Sequence, residues 1–178
     1  MKKSSISIIF LGVFLLFQSC SPSPRKSVEV AVTHTNIVST GYSEQYFLEL
    51  KQLKEQDRIK VYKDGGYKKV SVEEYMEEYL FDRIQESYDR VKGFAVGSET
   101  REMLAASLEV LKYGKTIFES EYPVIAKMMD ENRPSEEIDR AIQGVFDAHD
   151  VEMARRFDAL YDLAIPYAEK HDVALQID

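Results

Sequence analysis

Asp147, His149, Asp150 and Glu152 crowd one short stretch, and their imidazole and carboxylate groups are the donors that zinc and iron accept. The surrounding apolar spacing is helical, so only residues three or four apart share a face. On that geometry Asp150 and Glu152 diverge, and His149 shares its face with Glu152 or Met153 alone. A di-iron bundle needs a Glu three residues before a His on each of two helices, and no His here has one. His149 is therefore a weak metal candidate, more simply read as a histidine on a helix seam satisfied by its neighbours, and no cofactor is expected. His171, between Lys170 and Asp172, reads as a helix-end cation favoured by the dipole, and His34 stands apart from both. Neither a G-x-S-x-G turn nor a glycine-rich phosphate loop occurs. Adjacent carboxylates such as Glu77 and Glu78 diverge on a helix, so the sequence offers no enzyme signature.

Eleven tyrosines and no tryptophan give the chain another chemistry: large apolar faces, each with one hydrogen-bonding tip. Most fall on helical seams. Tyr62 and Tyr67 instead flank the Asp64-Gly65-Gly66 turn beside Lys60, Lys63, Lys68 and Lys69, a basic and aromatic spot in a chain of net charge -8. Tyr62, Lys63, Tyr67 and Lys68 are the candidate recognition loop. Lys115, an ammonium on an otherwise apolar seam, either snorkels to water or Glu119 or marks a polar entry to a groove between helices.

Cys20 is the only cysteine. It follows Lys2, Lys3, an apolar run from Ile6 to Phe17 and the small residue Ser19. The run is shorter than the ~20 residues that span a bilayer. This arrangement resembles the signal segment of bacterial lipoproteins. The resemblance covers residues 1–20 and implies cleavage before Cys20, lipid on its thiol, and attachment to a membrane of the cell envelope. In that class an Asp after the cysteine retains the protein in the inner membrane, and Ser21 in its place implies the outer membrane.

Without residues 1–19 the chain loses two of its 23 basic residues, leaving 21 against 31 acidic, near -10. Such a surface repels nucleic acid, and no nucleic-acid partner is expected. The organisation that follows is a signal peptide (1–19), a lipidated cysteine with an extended tether (20–35), and one helical domain (36–178). The SPSP segment and the alternation of Val28, Val30 and Val32 suggest the extended tether.

Beyond it a helix is expected from about Ser43 to Val61. Residues 58–72 read either as its end with a loop or as a β-hairpin around the glycine turn. Ser71 with Glu74 forms a capping box and opens a helix to about Lys92. A third helix, from about Glu99 to Glu131, carries a seam of Leu104, Leu108, Leu111, Lys115, Phe118, Tyr122, Ile125 and Met129, with Pro123 expected to kink it. The tight Asn132-Arg133-Pro134 connection leads to a fourth, running to about His171, and should turn the two long helices antiparallel. The expected fold is all-α, a three- or four-helix bundle built on that helical hairpin. The expected function is a non-catalytic, lipid-anchored binding module with an envelope protein or glycan as partner; the alternative is a metal- or small-ligand-binding bundle.

Overall fold

The structure, a computed structural model, describes residues 22–175. The expected signal segment and Cys20 lie outside the described residues. The chain is mostly helical, and its helices enclose one continuous apolar core.

The first helix, α1 (Pro24–Thr33), occupies the stretch expected to be an extended tether. Ser23 accepts a hydrogen bond from the Lys26 amide at 3.3 Å, and Pro24 takes the first helical position, where its missing N–H costs nothing. Val28, Val30, Ala31 and Val32 are all buried. Their alternation mimicked a strand, but the helix is so enclosed by three later helices, Asp82–Lys92, Arg101–Ser120 and Ser135–Lys170, that several of its sides face the core. The tether expectation therefore fails from Pro24 onward.

Helices α2 (Asn36–Gly41) and α3 (Glu44–Glu55) follow, α3 opened by Ser43, which accepts from the Tyr46 amide at 3.1 Å. The expected helix to Val61 stops at Glu55. Strands β1 (Lys60–Lys63) and β2 (Gly66–Lys69) then form an antiparallel hairpin, the second of the two readings of residues 58–72 and a departure from an all-α chain. The Ser71–Glu74 capping box forms and starts α4 (Val72–Met76), which passes through a π-helical turn (Glu77–Phe81) into α5 (Asp82–Lys92). That turn has a sequence cause. Val72, Met76, Leu80 and Ile84, all buried, are spaced four apart, and each such step drifts about 40° around an α-helix. One wider turn cancels the drift and keeps all four facing inward.

The expected third helix divides into α6 (Arg101–Ser120) and α7 (Tyr122–Asp130), with the break two residues before Pro123, whose ring and missing N–H disturb the preceding turn. Helix α8 (Ser135–Lys170) continues unbroken through Pro166. The core stripe of α6 keeps Leu104, Leu111 and Phe118 of the expected seam, while Ser107 and Gly114 face inward in place of Leu108 and Lys115. A Cβ on Gly114 would stand 2.8 Å from both Val38 methyls, and one on Gly41 would stand 2.8 Å from Phe118 Cζ. These two glycines let α2 lie directly against its neighbours. The fully buried Tyr122 closes the centre, its ring 4.8 Å from those of Phe47 and Phe118 and its hydroxyl donating to the Gly41 carbonyl at 2.9 Å. Burial pushes that phenol's pKa well up. Among the described residues no helix is long and apolar enough to cross a membrane.

Candidate functional site

The hairpin owes its register to Asp64 and Gly65, which have φ of 54° and 81°. A two-residue loop with both central residues at positive φ matches the right-handed twist of the strands it joins. Pairing is Lys60 with Lys69, Val61 with Lys68, Tyr62 with Tyr67 and Lys63 with Gly66. Because successive side chains alternate, Lys60, Tyr62, Tyr67 and Lys69 share one face. Val61, completely buried, holds the other face to the body. Tyr62 and Tyr67 are 58% and 74% exposed, with ring centroids 5.4 Å apart in an edge-to-face arrangement.

Of the four predicted recognition residues, the tyrosines thus stand together on the outer face. Lys63 and Lys68 belong to the opposite one. Lys63 reaches Glu78 of the π-helical turn at 3.5 Å, and Lys68 pairs with Asp64 of the loop. Lys69 pairs with Asp57, while Lys60 makes no ion pair among the described residues. Lys69, with a smaller contribution from Lys60, holds the Asp57 carboxyl below its usual range.

Beside the hairpin lies a cleft of about 520 Å³ with an apolar floor of Ile59, Val72, Met129 and Ile138 and a rim carrying Lys51, Lys54 and Arg133. Lys51 is paired with Asp139, whose carboxyl it holds low, and Arg133 with Glu137 at 2.7 Å. Lys54 stands 4.0 Å from Asp130. Asp130 in turn accepts the Val72 amide at 2.9 and 3.1 Å and the Glu73 amide at 3.5 Å. Ser71 accepts from the Glu74 amide and Glu74 from the Ser71 amide, both at 3.0 Å, so every opening amide of α4 has a partner. No local pattern announces Asp130 as a cap, because its partner lies 58 residues away.

The stretch around His149 forms a brace between α8 and its neighbours. His149 Nδ1 and the Tyr113 hydroxyl are hydrogen-bonded at 2.8 Å, and the Arg156 guanidinium lies 4.6 Å from the Tyr113 ring centroid. Arg156 also contacts Glu109 and Glu152, each at 2.8 Å. Hydrogen bonding from Arg155, helped by the charge of Arg156, lowers the Glu152 carboxyl to about 2. Tyr42 donates to Asp150 at 2.7 Å, and burial together with that carboxylate raises its pKa. Asp147 accepts from Gln143 at 2.9 Å. The histidine and carboxylates are thus engaged separately, and among the described residues no group of three or more His, Cys, Asp or Glu could hold a metal ion.

Lys115 pairs with Glu119 at 3.3 Å, and His171 joins Lys170 around Glu99 at 3.3 and 3.1 Å. Those two contacts hold the Glu99 carboxyl below its usual range. His34 caps α1. No protein-family model matches the chain, and no curated protein or solved structure does either.

Proposed function

We propose that this chain is a lipid-anchored, non-catalytic binding module of the bacterial cell envelope, attached through Cys20 to the outer membrane, with the hairpin as its recognition element. In this reading the body is a helical bundle in which α6–α7 and α8 form an antiparallel helical hairpin. It is a rigid support and takes no part in chemistry. The observation that carries the proposal is the outer hairpin face, where two large aromatic rings stand exposed between two lysines on an otherwise acidic chain. Exposed tyrosines on a rigid element are among the residues that dominate recognition surfaces.

Two variants of the full-length chain test it. Cys20→Ala should abolish labelling by a fatty-acid analogue and release the protein from the membrane fraction. Tyr62→Ala/Tyr67→Ala should leave lipidation intact and remove retention on washed, delipidated envelope fragments. Retention unchanged in the tyrosine variant would overturn the hairpin's role, and an unlabelled wild-type chain would overturn the anchor. The rival reading, a small-ligand-binding bundle, draws support from the apolar-floored cleft beside the hairpin.

A further inference from the structure

Two sets of contacts place the hairpin and the chain's amino end at opposite ends of α8. Ser23, Pro24 and Arg25 line one depression with His171 and Asp172, just past the carboxyl end of that helix. Ile59 and Lys69 line the large cleft with Ser135 and Ile138, at its amino end. Between them run the 36 residues of α8, about 54 Å at 1.5 Å per residue. Only two residues separate Cys20 from Ser23, so a lipid on Cys20 is joined to this end of the fold by about 10 Å of chain at most.

Charge follows the same axis. Residues 58–69 carry five cations (Arg58, Lys60, Lys63, Lys68, Lys69) against Asp64 alone, a local +4. With -10 left once residues 1–19 are removed, the rest of the chain is at -14. Anionic headgroups repel the acidic body, and attachment at the opposite end of α8 keeps the basic hairpin away from them.

We infer that the outer hairpin face of Lys60, Tyr62, Tyr67 and Lys69 binds a carboxylate-bearing glycan at the pole facing away from the anchoring membrane. This rests on the envelope-binding reading above and names its ligand class. Size argues for a glycan over a folded protein. Four residues per strand give a face about 13 Å long, whereas a stable protein interface covers about 800 Å² on each partner. Paired tyrosines offer the flat apolar surface on which sugar C–H faces stack, with hydroxyls at the edge for hydrogen bonds. The lysines supply the acid preference. Lys69 is held by Asp57, whereas Lys60, directly opposite it, makes no ion pair among the described residues and is free to meet a carboxylate of the ligand. A nucleic-acid polyanion would meet the repulsion of the -14 body.

The test uses the full-length chain in detergent with four probes: oligogalacturonate, neutral dextran, polyglutamate, and phosphatidylglycerol vesicles. Oligogalacturonate should bind, weaken with added salt, and lose at least tenfold in affinity in Tyr62→Ala/Tyr67→Ala and in Lys60→Gln/Lys69→Gln, with circular dichroism unchanged in the lysine variant. Dextran and polyglutamate, each having half of the chemistry, should bind at least tenfold more weakly. Equal binding of either one, preference for the vesicles, no oligogalacturonate binding, or indifference to the lysine variant would overturn the inference. If wild-type chain is retained on envelope fragments through its tyrosines yet ignores oligogalacturonate, the ligand class fails while the binding-module reading stands. If neither is seen, both fail.

Discussion

Replacing Asp130 with alanine should destabilise the fold by about 2 kcal/mol, because it strips the opening amides of α4 of an acceptor that no other residue can replace. Loss of a helix cap costs ~0.5–2 kcal/mol, and a hydrogen bond to a charged group contributes ~1.5–3. The upper end does not apply, since the Asp130 side chain is 32% exposed and water can reach part of the gap. For a domain of this size each kcal/mol moves the midpoint by about 2–4 °C, so thermal unfolding followed by circular dichroism should shift down by roughly 4–8 °C. Asp130→Asn keeps an acceptor and loses only the charge–dipole contribution of ~0.3–1 kcal/mol, so its shift should be less than half as large. Amide exchange should accelerate at Val72 in the alanine variant more than in the body. A shift below ~1 °C, or an asparagine variant as damaged as the alanine one, would refute the claim that this carboxylate closes the helix.

Gly114→Ala should cost up to about 2 kcal/mol in urea denaturation, the ~1–3 of overpacking against Val38 less the ~1 gained from alanine's helix propensity. Combined with Val38→Ala it should be far less harmful than on its own, and strictly additive losses would show that the close contact is not the cause. His34 has a lowered pKa, chiefly from burial and then from Arg90 and Lys26, so the unfolded chain takes up its proton first. Stability from this group is complete above the ordinary value of 6.5 and is lost as pH falls from there toward the folded value. His34→Gln should make the midpoint fall less on acidification below 6.5 than in the wild-type chain, and parallel pH profiles would exclude the effect.

Signals confined to a few neighbouring residues could be read from the sequence. Ser71 with Glu74 announced its helix, and the Asp64-Gly65 pair carried the hairpin reading even though a longer helix competed with it. What escaped depended on contacts across the fold. Val28, Val30 and Val32 have the period of a strand, and only enclosure by other helices makes all three buried positions of one helix. Gly114 has no apolar side chain to register on a periodicity, so the seam of α6 seemed to pass through Lys115. The candidate loop was legible in its composition, and the division of its residues between two strand faces was left unread. Strand alternation, applied outward from the turn, sends Lys63 and Lys68 to the face opposite the tyrosines and brings Lys60 and Lys69 beside them.

The attachments of the hairpin bear on how well such a small face can bind. Val61 is sunk into the body, Lys63 is tied to the π-helical turn through Glu78, and β2 runs within two residues into α4, whose opening turn is held by Asp130 at the end of α7. A surface of four side chains has little binding energy to lose to ordering, so fixing its backbone before the ligand arrives matters more here than across a broad interface. Both the π-helical turn and the Asp130 cap then have a consequence beyond local stability. The turn is set by the four-residue spacing of Val72, Met76, Leu80 and Ile84, and it places Glu78 where Lys63 can reach it. A variant that loosens either attachment should therefore weaken ligand binding more than it lowers the unfolding midpoint, because the hairpin can lose its alignment while the core it rests on stays folded.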